Sequence, residues 1–421
     1  MMATSRSEQH RPVAQPIPGA SWQARVMDAG EITTQLHDLW RRYGENRDAA
    51  PPSPNGPRGD APWPMVTARA ATLNLIAATR SRADAARVRQ TIAALSDLYP
   101  SRATVLIADP AFGNGAAPGM DVRVDLLEQE ATRGRPAIVF ESVTVDVSTE
   151  DERQLASIAS PLLVPDLPDF LWWSADATQA GSLFTELVEI SDRLIVDSAL
   201  SPHAAGAMQT LLRFLHSPSE RPALSDFAWS RLTPWRRLTT QFFDVPAALP
   251  ILDLIDEATL TYANSPTQWS GFTSALLYAG WLGSRLHWRT PGELLPVRGD
   301  PNVWRATLRA GAAGKQREVT LTLRPTTRPL AASTLLDVRL AADGGRAGFF
   351  TVERLDDDEI STTSDSPEMP SMVRTVFAPI PTEADLLGEE LRDFGRDPIF
   401  EAALAFAADM APEGFVGVRP R

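Results

Sequence analysis

Length, composition and charge exclude several classes of protein. The chain has 421 residues, of which 43% are hydrophobic and 22% charged, with a formal net charge of −13. We therefore expect a globular protein of two domains, and not a general nucleic-acid binder, which would need clustered Lys and Arg. It has no cysteine, so disulfides, thiol nucleophiles and thiolate metal sites are excluded within these residues.

The N-terminal 65 residues are predicted to lie outside the folded domains. Residues 1–27 are interpreted as a flexible tail, Glu31–Arg42 as a short helix, and Ala49–Pro64, which is dense in proline and glycine, as a linker. There is no apolar run long enough to span a membrane and no apolar middle region of a secretory signal. A cytoplasmic location is therefore expected.

The pattern over residues 66–290 is typical of an α/β domain. Apolar runs at Ala70–Ala78 and Ala103–Ala108, separated by helical spacing over Ala83–Leu98, predict a βαβ unit with a parallel pair of strands. Alternation in Val122–Leu126 and Ala137–Val147 predicts an antiparallel extension. Further strands are predicted at Phe170–Trp173 and Arg193–Val196, and helices at Ser182–Ile190, Ser201–Leu215, Ser225–Phe243 and Gln268–Trp288. The fold class is thus α/β, with a mixed, largely parallel sheet and flanking helices.

Two glycines lie inside the predicted helix Gln268–Trp288. Glycine weakens a helix interior, so Gly280 and Gly283 indicate positions where a neighbouring element packs closely.

A smaller antiparallel β domain with terminal helices is predicted over residues 291–421. Period-two alternation indicates strands around Trp304–Leu308, Val319–Leu323 and Leu336–Leu340. Phe349–Val352 and Met372–Phe377 are predicted as further strands, separated by an acidic loop, Asp356–Glu368. Helices are predicted at Glu383–Phe394 and after Asp397, the expected N-cap, with Pro398 in the first turn.

Common catalytic motifs are absent from the sequence. We find no G-x-S-x-G, no P-loop, no dinucleotide fingerprint and no H-E-x-x-H, and the His residues lack metal-ligand spacing. We therefore predict no catalytic, cofactor-binding or metal-binding residues. One alternative stays open: an α/β protein or enzyme that binds a phosphosugar or nucleotide at the carboxyl ends of its strands, near Trp173, Asp197 and Ser198.

Tryptophan occurs in two short segments, one of which is also rich in arginine, and these residue types often dominate protein interfaces. The predicted partner-interface residues are Trp172, Trp173, Asp197, Trp229, Arg231, Trp235, Arg236 and Arg237. Each tryptophan can instead fill the core between sheet and helices, and the arginines can face a phosphate or carboxylate. Between Arg298 and Arg346, nine basic residues against four acidic ones form a second candidate for docking.

Seven segments resemble, in order, the OpcA family of glucose-6-phosphate dehydrogenase assembly proteins. They are ATLNLIA (Ala71–Ala77), YPSRATVLIAD (Tyr99–Asp109), PLLVPDLPDFLWW (Pro161–Trp173), DRLIVDS (Asp192–Ser198), DFAWSRLTPWRRLTTQFFD (Asp226–Asp244), SALLYAGWLGSRLHW (Ser274–Trp288) and LLGEELRDFGRDPIFEAAL (Leu386–Leu404). The resemblance implies a non-enzymatic protein without cofactors that binds glucose-6-phosphate dehydrogenase and promotes its active state in the oxidative pentose phosphate pathway. Neither nucleic acid nor membrane is an expected partner. Thiol-dependent regulation, which the family includes, cannot act through a chain without cysteine.

Overall fold

The computed structural model describes residues 14–48, 68–69, 71–112, 119–129, 138–148, 151–179, 181–216, 222–263, 270–290, 292–311, 316–326 and 335–412. The chain divides into two compact units. Unit 1 comprises residues 1–174, 181–194 and 383–394, and unit 2 comprises residues 175–180, 195–382 and 395–421. The predicted domain boundaries at residues 65 and 290 state which segments fold independently, which the division into compact units does not test. They stay a prediction. The predicted linker Ala49–Pro64 lies outside the described residues.

Unit 1 is built around a mixed sheet. Its strands are β1 (Gln15–Val26), β2 (Ala68–Arg69), β3 (Leu73–Thr79), β4 (Ser101–Ala108), β5 (Met120–Gln129), β6 (Ile138–Val147) and β7 (Asp169–Trp173). Its helices are α1 (Ala29–Asp48), α2 (Arg82–Leu95), α3 (Arg153–Leu162), α4 (Ser182–Glu189) and α10 (Glu383–Glu390). β8 (Arg193–Val196) begins in unit 1 and ends in unit 2.

The strand order in unit 1 is β1-β5-β6-β4-β3-β7, and β2 pairs with β6. Neighbours from β6 to β7 are parallel, whereas β1 and β5 are antiparallel to their neighbours. Leu73 of β3 lies opposite Ser101 of β4, and α2 connects the two strands. The βαβ unit and the antiparallel extension are therefore confirmed.

Part of the predicted N-terminal tail is a strand, so the prediction is wrong for residues 15–26. β1 pairs antiparallel with β5, with Val26 opposite Met120. The hydroxyl of Ser21 also donates to Asp125 at 2.6 Å. Pairing with a strand about a hundred residues away satisfies the backbone of β1, and local composition does not report such a partner.

Unit 2 contains a second sheet and several helices. Its strands are β9 (Ala223–Asp226), β10 (Ile255–Ala263), β11 (Leu295–Val297), β12 (Asp300–Ala310), β13 (Arg317–Thr326), β14 (Leu335–Ala342), β15 (Gly348–Arg354), β16 (Glu359–Ser366) and β17 (Met369–Phe377). Its helices are α5 (Ala204–His216), α6 (Phe227–Ser230), α7 (Thr233–Gln241), α8 (Leu249–Leu252), α9 (Ser270–Arg285) and α11 (Pro398–Met410).

The second sheet has the order β11-β12-β13-β10-β14-β15-β16-β17. Its pairs are antiparallel, as predicted, except that β10 and β13 are parallel. One strand, β10, comes from a segment that the sequence did not predict as a strand. The fold is thus α/β with two mixed sheets and flanking helices, which confirms the fold class.

Two predictions in unit 2 are wrong. The acidic segment Asp356–Glu368 is not only a loop, because it contains β16, in which Ile360, Thr362 and Ser364 alternate as buried positions. The predicted helix Ser225–Phe243 is instead β9, α6 and α7. Asp226 ends β9 and caps α6 by accepting the N–H of Ala228, and this cap requires an extended residue where a continuous helix was expected.

The close packing predicted at Gly280 and Gly283 is confirmed within unit 2. A Cβ atom added to Gly280 would come within 2.2 Å of the carbonyl oxygen of Ala403 in α11. At Gly283 an added Cβ would meet the ring of Phe406. α11 itself begins as predicted, since Asp397 accepts the N–H groups of Ile399 and Phe400.

Candidate functional site

The predicted interface residues divide between the two units. Trp172 and Trp173 belong to β7 of unit 1, whereas the other six lie in unit 2, from the end of β8 to α7.

The two tryptophans of β7 are part of the core of unit 1. Trp172 and Trp173 are each only 1% exposed. The ring of Trp173 meets that of Phe184 edge-on at 5.0 Å, and the guanidinium carbon of Arg80 lies 5.5 Å from the Trp173 ring centre. These contacts stabilise packing, and a role of the two residues in partner binding stays a prediction.

Asp197 and Arg231 form a bidentate ion pair in unit 2. The two terminal guanidinium nitrogens of Arg231 donate to Asp197 Oδ1 and Oδ2 at 2.8 and 2.7 Å. Asp197 Oδ1 also accepts the N–H of Ala199 at 3.2 Å, at the start of a short 3-10 turn. Because the arginine fork engages both carboxylate oxygens, the pair connects the end of β8 to the end of α6.

Beside this pair lies a fully buried carboxyl group, that of Asp226. Its Oδ1 accepts the backbone N–H groups of Ser198 and Ala228 at 3.0 and 2.9 Å, and its Oδ2 accepts the Ser198 hydroxyl at 2.5 Å. Burial, and then the negative charge of Asp197, raise the pKa of Asp226 to about 7. Ser198 is itself 0% exposed, so the two polar residues of the alternative ligand site are engaged in contacts within the protein.

Trp229 and Arg236 form a second internal cluster. The guanidinium carbon of Arg236 lies 3.4 Å from the Trp229 ring centre, and Nη1 donates to the Trp229 carbonyl oxygen at 2.8 Å. The indole N–H of Trp229 donates to Asp397 Oδ2 at 2.9 Å. Burial lowers the pKa of Arg236 to about 10. Arg236 therefore serves packing within unit 2 and is not a freely exposed anion-binding arginine.

Replacing Arg236 with Glu is expected to lower the free energy of unfolding by about 3 kcal/mol, because it removes a stacked cation and places a carboxylate near Asp397 and a carbonyl oxygen. Urea unfolding followed by tryptophan fluorescence measures the change. The adjacent Arg237 is exposed, so Arg237→Glu is the matched control and should unfold like the wild type. Equal midpoints for the two variants would contradict the internal role of Arg236.

Trp235 is also a core residue, 2% exposed. The guanidinium carbon of Arg354 lies 5.9 Å from its ring centre, and Arg354 donates to the carbonyl oxygens of Asp356, Asp357 and Ala378. Trp235 thus packs beside an arginine that holds together the turn before β16 and the chain after β17.

Arg237 alone among the predicted arginines is exposed, and it lies on α7, whose last residue contacts an exposed strand. Gln241, one turn further along α7, accepts a hydrogen bond from Arg374 of β17 at 3.4 Å. Large apolar residues of β17 are open to solvent, with Met372 58%, Val373 70% and Phe377 72% exposed. Within the described residues β17 pairs only with β16. We call Arg237, Gln241 and the strand Met369–Phe377 the α7–β17 surface.

The sequence of β17 also contains a signal for this surface. Apolar residues of β17 occupy both alternations, with Met372 and Val376 on one face and Val373 and Phe377 on the other. A strand of this pattern usually has both faces covered. In β17 they are largely uncovered, and exposed apolar patches mark interaction sites.

In the described part of the chain, no three His, Asp or Glu side chains come together as metal ligands would. Among the helices that the structure describes, none combines the length and apolar character needed to cross a membrane.

Two family models match most of the chain. Residues 92–213 match the glucose-6-phosphate dehydrogenase subunit N-terminal domain, and residues 222–404 match the corresponding C-terminal domain. The chain is therefore an α/β protein in which an N-terminal and a C-terminal domain of the same family occur in their usual order. It belongs to the OpcA glucose-6-phosphate dehydrogenase assembly family.

Curated relatives support the same assignment. The chain is 29% identical over 159 residues to an OxPP cycle protein OpcA of Synechocystis, a match covering 38% of this chain and 32% of the relative. It is 32% identical over 169 residues to the OpcA protein of Nostoc punctiforme, covering 40% and 34%. The chain thus matches about a third of the length of these curated relatives.

Among solved structures, an NAD-binding oxidoreductase from Klebsiella pneumoniae is 12% identical with a TM-score of 0.44, covering 80% of this chain and 94% of that one. This likeness is too low to carry an argument about activity.

Proposed function

We propose that this chain is a non-enzymatic assembly factor and allosteric activator that binds glucose-6-phosphate dehydrogenase and promotes its active state. The observation that carries the proposal is the pair of domain matches over residues 92–213 and 222–404. Activation of that enzyme would serve the oxidative pentose phosphate pathway and NADPH supply, in the cytoplasm.

The chemistry of the predicted residues supports a binding role. Asp197 is paired with Arg231, Ser198 is bonded to Asp226, and Arg236 is stacked on Trp229. Side chains that are engaged in such internal contacts stabilise the fold and are not available to act on a substrate. We therefore assign partner binding to the exposed residues of the protein.

Activation requires a difference in affinity between two states of the partner. A protein that binds the active conformation of the dehydrogenase more tightly shifts its population toward that conformation. A coupling of about 1–3 kcal/mol changes apparent substrate affinity roughly 5–150-fold. With no cysteine in these 421 residues, control of this coupling by the chain's own thiols is excluded.

The docking surface that we propose is the α7–β17 surface. It combines the positive charges of Arg237 and Arg374 with the exposed apolar side chains of β17. An edge strand also presents backbone N–H and C=O groups that a partner strand can pair with. This surface would bind an extended apolar segment of the dehydrogenase that is flanked by carboxylate side chains.

Charge reversal at this surface is expected to weaken the complex. The double variant Arg237→Glu/Arg374→Glu should raise the dissociation constant for purified glucose-6-phosphate dehydrogenase of the same organism at least about tenfold, because two favourable contacts become repulsive. It should also abolish the lowering of the apparent KM for glucose 6-phosphate. Surface plasmon resonance and steady-state kinetics of the purified pair measure the two effects.

Arg305→Glu provides the matched control. Arg305 is exposed on β12, near the opposite end of the same sheet, and this variant should bind like the wild type. If Arg305→Glu weakens binding while the double variant does not, docking instead involves the basic stretch Arg298–Arg346. If the wild-type chain neither binds the dehydrogenase nor changes its kinetics, the proposed function fails.

A further inference from the structure

Unit 1 contains a cavity of about 350 Å³ beneath α2. Its apolar wall is formed mainly by Ile92, Ala93, Leu127 and Pro16. Its polar wall is formed by Arg89 and Gln90 of α2, Arg123 and Asp125 of β5, and Ser142 of β6. A volume of this size accommodates a small organic molecule, and the combination of apolar wall and few polar groups is typical of ligand pockets.

The charges in this cavity do not cancel. Arg123 donates to both oxygens of Asp125 at 2.7 and 3.0 Å, and Asp125 also accepts the hydroxyl of Ser21. This pair is internally neutral. Arg89, by contrast, makes no hydrogen bond or ion pair within the described residues, and its solvent-exposed side chain is therefore available to contact a bound anion.

The environment of Arg89 opposes its charge. Partial burial lowers the pKa of Arg89 and the positive charge of Arg123 lowers it further, while the carboxylates of Asp125 and Asp146 partly offset these effects. An anion bound between the two guanidinium groups would offset the repulsion from Arg123, and arginine binds carboxylate and phosphate oxygens with paired hydrogen bonds.

A row of polar groups continues along the same face of β6. Ser142, Thr144 and Asp146 alternate along the strand opposite Asp125, Arg123 and Asp121 of β5. Asp146 is 7% exposed, and its Oδ1 has no hydrogen-bond partner in the described part of the chain. Its other oxygen accepts a hydrogen bond from Arg82, the first residue of α2, at 2.5 Å. Buried acceptors of this kind pair well with hydroxyl groups.

We propose that the cavity beneath α2 is a binding site for a small hydroxylated organic anion, with Arg89 and Arg123 binding its carboxylate or phosphate group. The apolar wall would cover the carbon skeleton, and the polar face of β6 would accept its hydroxyl groups. The proposal concerns unit 1 alone and is independent of dehydrogenase binding through the α7–β17 surface.

Isothermal titration of the full chain with glycerol 3-phosphate, glycerate and inorganic phosphate tests the site. At least one organic anion should bind with a dissociation constant of about 1 mM or lower, and inorganic phosphate more weakly because it cannot use the apolar wall. The stronger of glycerol 3-phosphate and glycerate identifies the anionic group. Absence of binding by all three at 10 mM would overturn the proposal.

Two variants locate the binding. Arg89→Ala should weaken it at least about tenfold, the usual effect of losing a hydrogen bond to a charged group. Ala93→Phe, which fills the cavity, should weaken it similarly. Arg42→Ala in α1 removes an exposed charge outside the cavity and should leave binding unchanged. Equal weakening by Arg42→Ala, or none by Arg89→Ala and Ala93→Phe, would show that the anion does not bind in the cavity.

Discussion

Gly280→Ala is expected to lower the free energy of unfolding of unit 2 by about 2 kcal/mol. The added Cβ would come within 2.2 Å of the Ala403 carbonyl oxygen and 3.0 Å of the Ala407 Cβ. Both contacts belong to α11, and the closer one is backbone, which cannot rotate away as a side chain can. Overpacking of this kind costs typically 1–3 kcal/mol and at times more, which exceeds the gain of about 1 kcal/mol from replacing a helical glycine by alanine.

Chemical denaturation of Gly280→Ala and of the wild type measures the difference in the free energy of unfolding. Gly44→Ala in α1 is the matched control. Gly44 is exposed and helical, and a Cβ built there meets nothing within 4 Å. Only the helix-propensity gain remains, so Gly44→Ala should be more stable than the wild type by about 0.5–1 kcal/mol. An unchanged or higher stability of Gly280→Ala would mean that α11 does not pack on α9 at this position.

Local patterns were sufficient to predict much of the fold. The apolar runs that became β3 and β4 are buried along nearly their whole length, and a buried parallel strand reads as such a run. The glycines of α9 were also informative, because a helix tolerates glycine where another backbone must approach. In both cases the signal lies in the residues that make the contact.

The elements that were missed depend on distant partners. β1 alternates Ala20, Trp22, Ala24 and Val26 with polar residues, but only Ala20 and Val26 are buried, and the segment is a strand because β5 pairs with it. β16 buries mainly Thr and Ser on its inner alternation, so its composition resembles that of a turn. β10 lies between β13 and β14, which are both far along the chain. Hydrophobic periodicity does not report pairing of this kind.

The candidate site shows a further limit of sequence reasoning. Trp is common both in interfaces and in packed cores, and Arg is common in interfaces but can also be buried when it is paired, so composition does not tell whether the segment Trp229–Arg237 is core or surface. The structure separates its residues: Trp235 is buried, Arg236 is stacked on Trp229, and Arg237 is exposed. The sequence showed that the Trp and Arg residues of this segment make important contacts. Whether each side chain points into the core or to solvent depends on contacts with distant residues such as Arg354 and Asp397.

Asp226→Asn is expected to make the protein more stable at neutral and alkaline pH. In the folded protein burial raises the pKa of Asp226 to about 7, from an ordinary value of 3.8. The folded state therefore keeps the proton where the unfolded state has lost it. Stability from this group is highest below pH 4 and falls as the pH rises to about 7, by roughly 4 kcal/mol in total.

The asparagine side chain can reproduce the contacts of the carboxyl group. Its oxygen can accept the N–H groups of Ser198 and Ala228 that now bond Oδ1, and its amide nitrogen can donate to the Ser198 hydroxyl at the position of Oδ2. Unlike aspartate, asparagine carries no charge at any pH in this range. The variant should thus match the wild type near pH 4 and exceed it progressively up to pH 7.

Unfolding free energies of both proteins at pH 4, 5, 6, 7 and 8 provide the measurement. Titrating groups distant from Asp226 affect both proteins equally, so the difference between them reports Asp226 and its interaction with Asp197. Its growth with pH is the expected signature of a carboxyl group that is fully enclosed between β8 and α6. A difference that stays constant from pH 4 to 8 would mean that Asp226 ionises as easily when folded as when unfolded, and that water reaches it.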